Sequence, residues 1–443
     1  MTGVPLLTIV VFLPLAGALL LAAFRRNDAG VHAVALAVGV GELALVCALP
    51  AAALVATPPL PGFFLWEDRA WIDSFGIRYT LGVDGISFLM LLLTAFVTVI
   101  AMAVSWRGVK ERVPLHYALL LVMETGIMGV FLSLDLFLFY LFWEVMLIPM
   151  FFLIGIWGHG RRIYSAVKFF LYTLAGSLLM LLAIIGLYIL HGQGSGDYTF
   201  ALGALMHTKL SPATACWLFA AFLLAFAIKV PIFPLHTWLP DAHTDAPTAG
   251  SVILAALLLK TGAYGLIRFG YPLFPDAARA LTPLLCTVAL IGIIYGSWVA
   301  FAQEDMKRLV AYSSVGHMGF VALGIAAWQP VALSGAVLQM VNHGVTTGAL
   351  FALVGMLDER AHTREISRFG GIWGKAPVFA SFFLFFSMAS AGLPGLNNFA
   401  GEFLVLAGAF RSVPLAAAIA FAGIVLALVY TVRLVQDTLF GQE

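Results

Sequence analysis

Residues 225–268, AFAIKVPIFPLHTWLPDAHTDAPTAGSVILAALLLKTGAYGLIR, decide how the rest of the chain is read. Lys229 lies inside one apolar run and Lys260 inside the next, and a proline-rich break between them carries His236, Asp241, His243 and Asp245. A lysine at the centre of a membrane helix costs about 2.5–3.5 kcal/mol on insertion scales, so two on consecutive runs require a compensating use. Pro231 and Pro234 interrupt the first run. A proline leaves the carbonyl four residues earlier without its usual donor, and here those are the carbonyls of Ala227 and Val230, on either side of Lys229.

Outward from this stretch the composition is that of a membrane protein. Of 443 residues, 62% are hydrophobic and 10% charged, against about 25% charged in an ordinary soluble domain. Apolar runs of about 20 residues recur along the whole length, each long enough to cross the hydrocarbon core. Backbone polar groups in lipid must be satisfied within the segment, so the runs predict helices; the ~10-residue alternation of barrel strands is not found. The reading is an all-α polytopic membrane protein. A net charge of +1 gives no reason to invoke nucleic acid. Cys47, Cys216 and Cys286 stand singly, without the spacing of a disulfide framework or zinc site. No small-residue cleavage site follows Arg25 and Arg26, so the first apolar run is expected to be a retained helix.

Thirteen spans are expected, at about 4–24, 31–56, 82–105, 115–133, 136–157, 166–190, 213–235, 247–269, 280–301, 309–328, 331–357, 376–408 and 414–436. The twelfth is broken at Gly392, Pro394 and Gly395, as the seventh is at Pro231 and Pro234. Interrupted spans in corresponding halves point to a transporter's working site. Sorting Lys and Arg by alternate loops puts 14 of the 23 on one side and 6 on the other, which places the first loop in the cytoplasm and the N-terminus on the periplasmic side. SAVKFFLYTLAGSLLML from Ser165 weakly resembles GAVLQMVNHGVTTGALF from Gly335, and at nearly the same shift Lys229 falls opposite Glu402. Five spans separate the copies, so they would lie inverted in the membrane. The expected organisation is an N-terminal three-helix segment at 1–110, a first five-helix repeat at 111–270 and an inverted second one at 271–443.

Ionisable residues inside the spans are the candidate site. Glu144 lies within LFLFYLFWEVMLIPMFFLIGIW. Buried ionisable groups in membranes face a protein interior or a water cavity and pair with one another. A Glu–Lys pair whose contact can be made and broken has a tunable proton affinity, as a relay needs; the bland alternative is a static ion pair joining two helices. Lysine suits the task because desolvation moves its proton affinity, whereas arginine stays charged. His317 in SSVGHMGF and His343 in VNHGVTTG titrate closest to neutral pH, although a lone helical histidine is often structural. Ser313, Ser314, Asn342, Thr346 and Thr347 beside them suit either a water file or helix packing. Glu402 follows LPGLNNFAG and is expected near the positive end of the second half-helix. Glu124 is a further acid one span before Glu144; Asp135 suits a helix cap as well as a relay; Glu42 has no assigned role. His236, Asp241 and His243 match no metal-ligand spacing and read as caps and loop contacts. With no P-loop or G-x-G-x-x-G, no cofactor or metal is expected in this chain.

The segments FGIRYTLGVDGIS, FYLFWEVMLIPMFFLIGIWG, KVPIFPLHTWLPDAHTDAPTAGS, LLLKTGAYGLIRF, FAQEDMKRLVAYSSVGHMGF, HGVTTGALF and GLPGLNNFAGEF carry a resemblance that covers about Phe75 to Phe410. The chain resembles the antiporter-like membrane subunits of proton-pumping NADH:quinone oxidoreductase, respiratory complex I, and among them the M type (chain 4). The resemblance implies two inverted five-helix repeats with discontinuous helices and a mid-membrane row of protonatable residues: Glu144, Lys229, Lys260, His317, His343 and Glu402. It implies that Glu144–Lys229 is a switching pair, that Lys260 and the histidines form a central relay, and that Glu402 is the periplasmic exit. Lysine is usual at the last position in related subunits, so Glu402 points to the M type. NAD, FMN, iron–sulfur clusters and quinone are implied for partner subunits, with L-type and N-type antiporter-like subunits as membrane-arm neighbours in a bacterial inner membrane. The family usually has a fourteenth helix, whereas this sequence stops soon after the thirteenth span. Other readings are a subunit of a multisubunit sodium/proton antiporter or membrane-bound hydrogenase, a non-pumping scaffold, and a solute carrier. A scaffold gains nothing from the insertion cost of so many ionisable groups. A solute carrier would show a mixed polar and aromatic cavity rather than a line of titratable residues.

Overall fold

The computed structural model describes residues 5–23, 28–54 and 62–441. Arg25 and Arg26, counted in the first loop, and the terminal Gln442 and Glu443 lie outside the described residues.

Each of the thirteen expected spans corresponds to helix. They are α1 (Leu6–Leu21), α2 (Asp28–Ala53), α3 (Gly85–Gly108), α4 (Val113–Leu132), the pair α5 (Leu136–Val145) and α6 (Leu147–Trp157), α7 (Arg162–Ser195) and α8 (Pro212–Lys229). The short α9 (Trp238–Asp245) follows the break. Then come α10 (Thr248–Leu273), α11 (Thr282–Phe301), α12 (Met306–Ala326), α13 (Pro330–Ala361), the half-helices α14 (Pro377–Ser390) and α15 (Asn397–Ala409), and α16 (Pro414–Val435). Among the described residues, eleven helices are long and apolar enough to cross a membrane. Their starts follow from local chemistry. Asp84, Asp135 and Asp305 each accept the first free backbone N–H groups of α3, α5 and α12. Proline opens α4, α11, α13, α14 and α16, where its missing N–H has no intrahelical partner to lose.

One element lies outside the all-helical reading. Strands β1 (Leu65–Ile72) and β2 (Ile77–Val83) form an antiparallel hairpin, pairing Leu65 with Val83 and Arg69 with Tyr79. Its turn ends at Gly76, whose φ of +64° suits glycine and whose missing side chain leaves room for the Tyr198 carbonyl. Glu67 on β1 accepts the backbone N–H groups of Leu7 at 2.6 Å and Thr8 at 3.2 Å, so the hairpin satisfies the start of α1.

The chain divides into two compact units. The first holds the described residues up to Gly158, with Ala166–Phe226 and Tyr264–Ala280; the second holds His159–Ser165, Ala227–Ala263 and Leu281 onward. In the first unit α4 is central and packs on α1, α2, α3, α5 and α6. Gly126 and Gly129 let α4 approach α5 closely, because a Cβ at either would meet Met146 or Phe142. In the second unit α12 and α13 are central. Gly296, Gly316 and Gly319 bring α11 and α12 into near backbone contact. His317, a helical step of about 100° from Gly316, thereby turns away from that seam.

Candidate proton-transfer site

The second unit brings four buried titratable side chains into a row. Lys260 is fully buried on α10, and its Nζ donates to the Ala255 carbonyl at 2.6 Å and lies 2.6 Å from His343 Nδ1 on α13. The His343 and His317 rings have centroids 5.7 Å apart at 57°. His317 Nδ1 lies 2.8 Å from Glu402 Oε1, which also accepts from Gln339 Nε2 at 3.0 Å. On the far side of the His317 ring, Nε2 faces Tyr430 OH at 3.3 Å and Ser390 Oγ at 3.4 Å. Lys260, His343, His317 and Glu402 are all at most 2% exposed. Four of the six expected relay residues therefore come together, from four separate helices.

Donor and acceptor chemistry fixes the proton positions. An ammonium only donates, so beside a charged Lys260 the His343 Nδ1 is an acceptor and its proton sits on Nε2. An ionised Glu402 only accepts, so His317 Nδ1 is then the donor. With Lys260 charged and Glu402 ionised, the two histidines would hold opposite tautomers.

The local backbone explains why each group is where it is. The eighth span is not a regular α-helix: π-turns occupy Leu254–Leu258 and Leu266–Gly270, before and after Lys260. A π-turn shifts backbone pairing by one residue, and the Lys260 ammonium takes up the Ala255 carbonyl five residues back. Nothing in the run LAALLLK signals this, since neither proline nor glycine occurs in it. The twelfth span breaks at Ala391–Leu396, with Gly392 and Gly395 at φ +74° and +95°. Glu402 is the sixth residue of α15 and not in its first turn. The helix-end field falls off within that turn, so the expected dipole effect gives way to the two direct donors, His317 and Gln339. Gly401 makes room for Gln339, whose Oε1 a Cβ there would meet.

Asn342 and Thr346 are not free for a water file. Asn342 Nδ2 donates to the Asn397 carbonyl at 2.6 Å, while Asn397 Nδ2 donates to the Asn342 carbonyl at 3.2 Å and to Thr346 Oγ1 at 2.9 Å. This reciprocal clamp ties the first residue of α15 to α13. Ser313 and Ser314 both donate back to the Val310 carbonyl. Asn397 lies within the motif GLPGLNNFAGEF, and nothing in that stretch identifies its partner.

At the other break, α8 ends at Lys229, which is buried. The Ala227 carbonyl, expected to be freed by Pro231, accepts from Ile232 N at 2.9 Å, and Trp238 Nε1 donates to the neighbouring Ile228 carbonyl at 2.9 Å. The proline break is thus re-satisfied by a wider turn and an indole. His236 stacks on Phe233, and His243 lies flat on Phe351 at 4.4 Å. Asp241 belongs to the first turn of α9. Asp245 accepts from Ser165 Oγ at 2.6 Å and, through its carbonyl, from His159 N at 2.7 Å.

In the first unit Glu144 is partly buried, one residue before α5 ends. The fifth span is interrupted at Met146, and Pro149 is the cause: the carbonyl four residues before it is that of Val145. Tyr140, one helical turn before Glu144, lies beside Glu144 and Ser177. Asp135 is a cap: it accepts from Phe137 N at 3.0 Å, Leu138 N at 3.1 Å and Arg78 N at 3.2 Å. Burial raises its pKa to about 6, against the pull of these donors. Glu124 is turned away from α5, since Gly126, which meets Met146, lies about 200° further round α4.

Residues 133–427 match the family described as NADH:quinone oxidoreductase/Mrp antiporter, TM. The chain is 49% identical over 377 residues to NADH-quinone oxidoreductase subunit M of Pseudomonas aeruginosa, covering 84% of this chain and 74% of that protein. It is 46% identical over 447 residues to the Rhodobacter capsulatus subunit M, covering 99% of this chain and 86% of that one. Among solved structures, respiratory complex I from Thermus thermophilus with bound NADH contains a chain that superposes with a TM-score of 0.89 at 34% identity, covering 99% of this chain and 89% of that chain. The Mrp complex from Dietzia sp. DQ12-45-1b shares the fold, with a TM-score of 0.86 at 23% identity over 99% of this chain and 81% of that chain.

Proposed function

The chain belongs to the NADH:quinone oxidoreductase/Mrp antiporter transmembrane family, and we propose that it translocates protons as the M-type membrane subunit of respiratory complex I. The single observation that carries the reading is the buried chain Lys260–His343–His317–Glu402. A cation, two imidazoles and a carboxylate in series can pass a proton by successive transfers, with water bridging the gap between the two rings. Glu144 and Lys229 are further proton carriers in this reading, each beside a proline that withdraws a backbone donor. Identities of 40–49% to subunits M, against 23% to the Mrp chain, favour complex I over a sodium/proton antiporter.

In this reading NADH oxidation and quinone reduction belong to partner subunits that hold NAD, FMN and iron–sulfur clusters, and this chain contributes the membrane path. Its neighbours are L-type and N-type antiporter-like subunits. It resides in a bacterial inner membrane with its N-terminus on the periplasmic side, as its loop charges indicate. Two inverted five-helix repeats place the two helix breaks on related paths. The test is proton uptake by vesicles containing the assembled complex with Glu144→Ala or Lys229→Ala. Pumping and coupled quinone reduction are expected to fall together with assembly unchanged; normal pumping by an assembled Lys229→Ala complex overturns the proposal.

A further inference from the structure

The first unit holds a second set of buried titratable groups. Glu42 on α2 is 0% exposed and Glu124 on α4 is 1% exposed, and all four carboxyl oxygens lack a hydrogen-bond partner. The helices α2, α3 and α4 pack on one another, and the two carboxyls are close enough for their charges to interact. Thr98 on α3 lies beside Glu124. Towards one end of the same helices, His32 is sandwiched against Trp106 at 4.8 Å and Tyr117 at 5.1 Å. His116 Nε2 lies 2.9 Å from Ser105 Oγ.

Helical rise sets the depth of these groups. Glu42 is ten residues beyond His32 and Glu124 seven beyond Tyr117, so both carboxyls lie about 10–15 Å from the histidine end. The helices packed around the pair bring no cation to that depth among the described residues. Across α1 to α6 the one Lys or Arg among the described residues is Arg107, in the last turn of α3 and about 13 Å along the axis from Thr98. The remaining titratable groups of the surrounding helices are Asp28, His32 and the exposed Cys47 on α2, His116 and Tyr117 on α4, and Tyr140 and Glu144 on α5; the described residues of α1 carry none. An ionised carboxylate here would be a buried, uncompensated charge, and two would repel each other.

We propose that Glu42 and Glu124 form a proton-holding carboxyl pair, loaded from the His32–His116 end of α2 and α4, and additional to the Lys260–Glu402 chain. This deepens the proton-translocation reading and rests on it. The pair would take up a proton at one carboxyl as the other releases one, so that α2 to α4 store charge for transfer without carrying a fixed ion.

The test uses the assembled complex in vesicles, as wild type and with Glu42→Gln, Glu124→Gln or both. Infrared difference spectra between wild type and each variant read the carbonyl stretch of a protonated carboxylic acid and its downshift in deuterium oxide. Each single replacement is expected to remove such a band and to lower protons moved per NADH oxidised severalfold. Spectra without a band difference overturn the proposal, because the carboxylates are then ionised. Loss of the band with transport unchanged also overturns it, because the acid pair is then static. Lys260→Ala in the same preparation separates the two readings: if it too leaves transport unchanged, proton translocation through this chain fails, and otherwise only the carboxyl pair does.

Discussion

The Lys260 ammonium nitrogen lies 2.6 Å from His343 Nδ1, joining the π-turn segment of α10 to the centre of α13. The contact has an internal logic: a proton on Lys260 excludes one on His343 Nδ1, so the pair carries one proton between two sites. Replacing Lys260 by Arg retains charge but not titration, because a guanidinium does not release its proton in this pH range. Lys260→Arg is therefore expected to assemble and to pump about tenfold or more slowly, close to Lys260→Ala. Proton uptake by vesicles, normalised to assembled complex, checks this, and wild-type pumping by the arginine variant would show that only charge matters.

Pro149 withdraws the helical donor from the Val145 carbonyl, one residue after Glu144. Pro149→Ala restores the missing N–H for the Val145 carbonyl and favours an uninterrupted α5–α6 helix. The expected outcome is equal or higher thermal stability with lower pumping, since the hinge beside Glu144 is lost. A melting curve and a pumping assay on the same preparation separate the two effects.

Asn397 anchors the start of α15 through bonds to Asn342 and Thr346. Asn397→Ala leaves the Asn342 carbonyl and the Thr346 hydroxyl without this partner, at a cost of about 1–3 kcal/mol for a buried polar group. A lower melting temperature and faster proteolysis near the 391–396 break are the expected signs. An unchanged melting curve would mean that the clamp is dispensable.

Asp135 gives a pH dependence with a defined sign. Its pKa is raised to about 6, chiefly by burial, from 3.8. A raised carboxyl pKa contributes stability that is fully present below the unfolded value and lost as pH rises through the folded one. Stability should therefore fall between about pH 4 and pH 6 by up to about 3 kcal/mol on this group's account. Asp135→Asn keeps an oxygen acceptor for the Phe137 and Leu138 N–H groups and should flatten that part of the profile. Melting temperatures of wild type and variant across this window check it.

How much was legible differs by kind of feature. Span number and helix breaks at Pro231, Pro234 and Pro394 follow from composition and from the missing proline donor. Lys260 and Glu402 announce themselves because an ionisable residue in an apolar run is expensive. The π-turns around Lys260 do not, because LAALLLK is compatible with any helix. Glu42 looked isolated for the same reason that Asn397 lacked a known partner: each is explained by a residue far away in sequence, Glu124 and Asn342 respectively. The hairpin at Leu65–Val83 was hidden because FGIRYTLGVDGIS reads first as a motif and only then as a strand.

By itself the sequence determined that this chain crosses a membrane many times and which costly residues it carries across, because transfer of each side chain into lipid depends on that side chain and its immediate neighbours. The tertiary structure alone decided which of them meet. Lys260 joins His343, His317 joins Glu402, and Asn397 closes on Asn342, because Gly335 and Gly401 let α13 and α15 approach closely while Gly316 and Gly319 seat α12 against α11 and so fix where His317 points. Such approach distances depend on packing between segments 50 or more residues apart, which no local pattern encodes.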